Sequence, residues 1–109
     1  VCARDGRALY FSKSIIPHVG PGTTPVQPVL LHVGLYAYRP AALADYVAAG
    51  PAPLELQEGL EQLRFLDAGL SVGVAQCAAP AWEMIELNNP TDVPLIEAEL
   101  ARRALAESR

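Results

Sequence analysis

Cysteine is scarce in this chain. Its two cysteines, Cys2 and Cys77, stand far apart, and neither belongs to a Cys-x-x-Cys pair or to a Cys/His group at metal-ligand spacing. That pattern offers no zinc site, and the two thiols read as reduced, small core residues of a cytosolic protein, with a Cys2–Cys77 disulfide as the lesser alternative. Basic residues are also few: eight Lys and Arg face twelve Asp and Glu, for a net charge of -4 with no basic block. Non-specific nucleic-acid binding has no electrostatic footing on such a balance. No apolar run reaches the roughly 20 residues of a membrane span. There is no internal repeat, no low-complexity region and no Ser-His-Asp spacing. The Gly20-Pro21-Gly22-Thr23-Thr24 stretch lacks the lysine of a phosphate-cradling loop. The chain begins with Val1, not Met, and no signal-peptide pattern precedes Arg4-Asp5, so it reads as a piece of something longer.

What is present suits one globular domain with a small core, since 51% of the 109 residues are hydrophobic. The organising stretch is 51–66, PAPLELQEGLEQLRFL. Leu56, Leu60 and Leu63 recur at helical spacing with Leu66 near them, which predicts a helix burying that stripe and stopping near Gly69. On the far side Glu61 lies between Leu54 and Phe65, with Glu55, Glu58 and Gln62 a little further round. Such a carboxylate is either a solvated charge on an apolar patch or a group aimed at a ligand.

The chain opens as a hairpin. Residues 1–3 and 8–12 form the arms, and Asp5-Gly6 supplies the positive-φ turn. Lys13 follows, as a solvated strand-end charge or as a group holding an anion where the strand stops. A loop covers 18–28. Residues 29–39, VLLHVGLYAYR, read as a central strand covered on both faces. Alternation puts His32, Gly34, Tyr36 and Tyr38 on one side. His32 is then either a hydrogen-bonded histidine at a strand edge or, with Tyr36, part of a face turned to a polar ligand, with Gly34 leaving room. Pro40 starts a helix over 41–49, ended by Gly50-Pro51. Short strands are expected at 71–75 and 82–87. A turn over 88–92 leads into a last helix, capped by Asn89 or Thr91 and favoured by Asp92. That helix carries the stripe Val93, Ile96, Leu100 and Ala104, and its tail from residue 102 should fray. The order predicts an α/β layer arrangement with a mixed sheet.

Four blocks, in order, carry a family resemblance that spans nearly the whole chain. They are Asp5 to Pro17 (DGRALYFSKSIIP), His32 to Arg39 (HVGLYAYR), Pro53-Leu54-Glu55 with Glu58 and Leu60-Glu61-Gln62-Leu63-Arg64, and Asn89-Pro90-Thr91-Asp92-Val93. Together they resemble the C-terminal part of the 3-deoxy-manno-octulosonate cytidylyltransferases, or CMP-Kdo synthetases, with their ALYFSR, HLGIYGYR and Thr-Pro-Glu-Asp-Leu stretches. The second and third blocks are specific in combination.

The resemblance implies the nucleotide-diphospho-sugar transferase fold, a Rossmann-like α/β sandwich. It implies a reaction of Kdo with CTP giving CMP-Kdo and pyrophosphate. Mg²⁺ is the expected cofactor, and a homodimer in the cytoplasm of a Gram-negative bacterium, supplying lipopolysaccharide, is the expected setting. His32, Tyr36, Glu61 and Gln62 match family positions that contact the sugar, and Lys13 matches an arginine near the sugar acid. Lysine there keeps the charge without the two-pronged grip on a carboxylate.

Two departures stand out. Asn88 occupies the place of the family's metal-binding aspartate, and an amide is a poorer magnesium ligand than a carboxylate. The family's nucleotide-binding N-terminal half has no counterpart in these residues, so residues 1–109 are expected to be the sugar-binding and dimerisation portion, inactive alone. Alternatives are a cytidylyltransferase for another acidic sugar, such as a nonulosonate or a modified Kdo, and a non-catalytic sugar-binding or subunit-interaction module. No membrane or nucleic-acid partner is expected in any of these.

Overall fold

Proline opens the first two helices, at positions where a missing N–H leaves no helical bond unmade. In the computed structural model, which describes residues 1–79 and 85–107, α1 spans Pro40–Ala49 and α2 spans Pro53–Glu58. Glycine closes both: Gly50 and Gly59 take positive φ angles of 68° and 61°, a region open to glycine at little steric cost.

The single helix expected over 51–66 is two. α2 stops at Gly59, and α3 spans Gln62–Asp67. The left-handed Gly59 sends its N–H and that of Leu60 back to the Glu55 carbonyl, which unwinds the helix before Glu61. This break re-phases the apolar stripe. Leu63 is buried at 1% exposure, Leu60 and Leu66 are half-buried, and Leu56 is left at 71%. Phe65, Glu55 and Gln62 take the inner positions instead, beside Ala8 and Ala52. α3 packs against both α1 and α2.

Among the described residues there is no β-strand, so the expected mixed sheet is not formed. The opening stretch does double back through a turn in which Gly6 has φ 81°. Its pairing is one antiparallel bridge, Cys2–Ala8, supported by Ala3 N–H to the Arg7 carbonyl and Leu9 N–H to the Val1 carbonyl. A second bridge, Arg7–Gly73, lays residues 72–74 alongside, but Ser71, Gly73 and Ala75 are exposed, not buried as a short core strand would be. Residues 29–39 are irregular and exposed throughout, with Leu35 at 84%. A strand exists only through hydrogen bonds to a neighbouring edge, and no described segment pairs with this one.

The chain divides into two units, Val1–Gln76 and Cys77–Arg109. In the second, a 3₁₀ turn Pro90–Asp92 leads into α4, Val93–Glu107. Asn89 stands at the cap of that turn, as expected, and Asp92 at its third position has an Oδ2 that accepts from the N–H groups of Asn88 (3.0 Å) and Asn89 (2.7 Å). The stripe expected on α4 is mostly exposed, with only Ile96 half-covered. The helix does not fray from residue 102: Glu99 bridges Arg102 and Arg103 at 2.7 and 3.0 Å. Of the strand expected at 82–87, residues 82–84 lie outside the described residues, and Ile85, Glu86 and Leu87 are irregular and exposed. Both cysteines are free, but Cys77 is exposed and so is no core residue. No helix is long and apolar enough to cross a membrane among the described residues.

Candidate functional site

Although residues 32–38 form no strand, their alternation survives. His32, Tyr36 and Tyr38 lie in one aromatic row. Phe11 meets His32 at a ring separation of 4.9 Å, His32 meets Tyr36 edge-on at 5.7 Å, and Tyr36 stacks on Tyr38 at 6.0 Å. Tyr38 then stacks on Phe65 of α3 at 5.4 Å, and Phe65 on Tyr46 of α1 at 4.7 Å. These separations fall in the range where aromatic pairs attract beyond simple burial. The row therefore ties an otherwise irregular segment to the helical layer. His32 Nε2 and the Tyr36 hydroxyl share a hydrogen bond of 2.7 Å.

Two carboxylates of α2 organise what surrounds the row. Glu55, at the third helical position, reaches back to the Ala52 N–H (2.9 Å), half of a capping box. It also takes a two-pronged grip from Arg64 of α3, at 2.7 Å from Nε and 2.5 Å from Nη2. The Arg64 hydrogen bonds hold the Glu55 carboxyl below its ordinary range, against the opposing effect of burial, and the same contact raises Arg64. The Arg64 guanidinium lies over the Tyr46 ring, 4.0 Å from its centre. Glu58 faces the opening segment. It accepts from Ser12 Oγ (2.8 Å), Lys13 N–H (3.1 Å) and Tyr10 Oη (3.3 Å). The Ser12 bond, then the Lys13 N–H, pull its carboxyl below the ordinary value. Burial, then the Glu58 charge, push the Tyr10 phenol up.

The predicted site residues divide accordingly. His32 and Tyr36 are together. Lys13 is exposed, and its ammonium rests against Gly59: a Cβ built there would lie 2.9 Å from Nζ. Glu61 is exposed just before α3, two residues beyond Gly59. Gln62 is buried at 8% exposure, and its Oε1 has no hydrogen-bond partner. Lys13 and the turn bearing Glu61 and Gln62 thus meet across nearly fifty positions of sequence. Asn88 belongs to the second unit and points its amide N–H at Glu86 Oε2, at 3.4 Å.

Magnesium requires a near-octahedral set of hard oxygen ligands. Around Asn88, Asp92 Oδ2 is committed to two backbone N–H groups, and the Asn88 amide presents its nitrogen to Glu86. Among the described residues no three His, Cys, Asp or Glu side chains gather where they could share a cation. These residues do not fit a magnesium site.

Sequence reasoning passed over Glu55, Glu58, Arg64, Tyr46 and Gly59 as contributors. Two signals were legible: a Glu at the third position after a proline-led start reads as a capping residue, and a glycine inside a helical pattern warns of a break. The Arg64–Tyr46 stack and the Glu58 contacts are tertiary and leave no local trace. An open groove of about 460 Å³ beside Asp5, Arg7, Ser71 and Val74 contains none of the predicted residues.

A family model described as cytidylyltransferase matches residues 1–72. Over 100 residues the chain is 43% identical to the 3-deoxy-manno-octulosonate cytidylyltransferase of Dichelobacter nodosus, covering 90% of this chain and 39% of that protein. The protein of the same name from Acaryochloris marina is 45% identical over 92% of this chain and 38% of its own length. The one from Rhodospirillum centenum is 55% identical over 67% of this chain and 26% of its own. The chain thus spans about two fifths or less of the curated relatives it matches.

Proposed function

Since the chain belongs to the cytidylyltransferase family, we propose that it is the C-terminal, sugar-side portion of an enzyme that couples 3-deoxy-manno-octulosonate to CTP, releasing pyrophosphate. The relatives' shared name supports the substrate, and their greater length supports a further, nucleotide-binding half. The single observation that carries the reading is the meeting of Lys13 with the α2–α3 break. It brings a cation from the first resemblance block to the turn that bears Glu61 and Gln62 of the third.

In the proposed reaction the sugar's anomeric hydroxyl attacks the α-phosphorus of CTP, and the bond to pyrophosphate breaks. Such a step depends mainly on positioning and charge. Lys13 meets the sugar carboxylate, and Glu61, Gln62, His32 and Tyr36 supply acceptors and donors for its hydroxyls. The unpaired Gln62 Oε1 supports this role, because a buried acceptor without a partner is costly unless a ligand fills it. In the whole protein, residues 29–39 join the mixed sheet of the nucleotide-diphospho-sugar transferase fold by pairing with strands outside this chain. Their exposed apolar side chains support that placement. Magnesium, homodimer formation, a cytoplasmic setting and supply to lipopolysaccharide belong to the same proposal, with the metal's carboxylates drawn from beyond these residues.

Asn88 and Lys13 favour one second reading, a different acidic sugar as substrate. The test is CTP-dependent pyrophosphate release by the full-length protein carrying this chain, with Kdo and magnesium, beside an Asn88→Asp variant. Turnover with Kdo is expected. No turnover in either form, with turnover on a nonulosonate, transfers the assignment to that sugar; none with any acidic sugar sinks it.

A further inference from the structure

Glu58 is the last residue of α2, and among the described residues everything its carboxylate accepts comes from one short segment far away in sequence. Tyr10, Ser12 and Lys13 each give it a hydrogen bond, across 45 to 48 positions. That segment has little structure of its own. The amino terminus bonds the Tyr10 carbonyl at 3.0 Å, and Ser14 N–H bonds Ser12 Oγ at 3.0 Å, so Ser12 passes the Glu58 anchor on to the next turn of chain.

The bond from Lys13 to Glu58 runs from its backbone N–H. Among the described residues the Lys13 ammonium forms no ion pair. The side chain instead crosses Gly59, where a Cβ would come within 2.9 Å of Nζ and 3.9 Å of Cε. Glycine is favoured at this position by its φ of +61°, and a side chain there would have to push aside the flexible end of the lysine. Adjacent residues of one helix end thus do complementary things. Glu58 pins the backbone of residue 13, and Gly59 gives its side chain a path along the break.

We propose that Glu58 is a positioning residue for Lys13, fixing its backbone so that the ammonium stands at the α2–α3 break, ahead of Glu61, to receive the carboxylate of an acidic sugar. The inference rests on the functional reading above and adds the device that aims the cation. The Ser12 hydrogen bond, then the Lys13 N–H, also lower the Glu58 carboxyl and so favour its ionised form.

The test uses the full-length protein with Glu58→Ala, Lys13→Ala, the double variant and Glu58→Gln. Glu58→Ala should raise KM for the acidic sugar about tenfold while kcat and the KM for CTP change less than about threefold. Lys13→Ala should do the same, and the double variant should be no worse than Lys13→Ala alone, because Glu58 acts through Lys13. Glu58→Gln, which keeps an acceptor oxygen, should recover part of the loss.

A readout independent of turnover comes from ¹³C-lysine NMR. Lys13 is the one lysine in this chain, and its signal is assigned by its disappearance in Lys13→Ala. Its ε-methylene shifts should collapse toward free-lysine values in Glu58→Ala. Unchanged shifts, or KM effects of the two single variants that multiply in the double, overturn the proposal. If Glu58→Ala collapses the Lys13 signal while Lys13→Ala and Glu61→Ala leave sugar kinetics unchanged, the positioning stands and the sugar-binding reading fails.

Discussion

The Tyr36 hydroxyl and His32 Nε2 lie 2.7 Å apart, joining side chains four residues distant on a segment with no regular secondary structure. In a strand, residues four apart on one face are separated by about 13 Å along the axis, and their polar tips meet only when the chain between them bends. Leu35 N–H accordingly turns back to the Val33 carbonyl at 2.8 Å. The imidazole and phenol present one paired polar edge beside the exposed faces of Tyr36 and Tyr38.

If that edge meets the sugar, Tyr36→Phe and His32→Ala in the full-length protein should each raise the sugar KM or lower kcat by about tenfold, near the loss of one strong hydrogen bond. The double variant should lose little more than either alone, because the groups act as a pair. Steady-state kinetics in both substrates check this; unchanged sugar kinetics in folded variants would remove both residues from the site.

The helix break decides which leucine matters. Leu63→Ala should destabilise the protein by about 2–5 kcal/mol, since a fully buried side chain leaves a cavity. Leu56→Ala, on the same predicted stripe but largely exposed, should change stability by less than about 0.5 kcal/mol. Urea unfolding of the two variants side by side distinguishes the broken helix from a continuous one, in which both would count.

Acid should weaken the last turns of α4 in a defined window. Hydrogen bonds from Arg102, then Arg103, lower the Glu99 carboxyl from its ordinary 4.5 to about 2. The folded value lies below the unfolded one, so the contribution is complete above about pH 4.5 and is lost as pH falls toward 2. Glu55 and Glu58 are lowered too and add acid sensitivity of the same sign in the first unit. Far-UV circular dichroism should show helix loss over that window, with a smaller change in Glu99→Gln. A Glu99→Gln titration matching the parent would mean the bridge contributes nothing.

Gly59 separates backbone strain from side-chain displacement. Gly59→Ala places a side chain at positive φ, costing about 1–2 kcal/mol, and pushes the flexible end of Lys13 aside. Asn tolerates the left-handed region better, so Gly59→Asn should recover stability while displacing Lys13 just as much. Thermal unfolding and sugar KM measured on both should part company; equal recovery of the two would show that Lys13 does not need this space.

Local chemistry was legible in the residues themselves. A proline at the first helical position and a glycine after the last placed α1, and Asp5-Gly6 marked the first turn, because these depend on a few neighbouring dihedral angles. The resemblance blocks pointed to the family that the comparison with known proteins shows. The sheet was not decided there. Residues 29–39 have the composition of a strand, but a strand is completed by hydrogen bonds from another segment, and none of the described residues provides them.

The choice among carboxylates was likewise tertiary. Periodicity singled out Glu61, yet Gly59 rotates the residues after it, leaving Glu61 exposed while Glu55 turns to Arg64 and Glu58 to the distant segment 10–13. A helical pattern assumes a constant turn per residue. One left-handed residue ends that assumption, and only the folded chain shows which side chains then face inward.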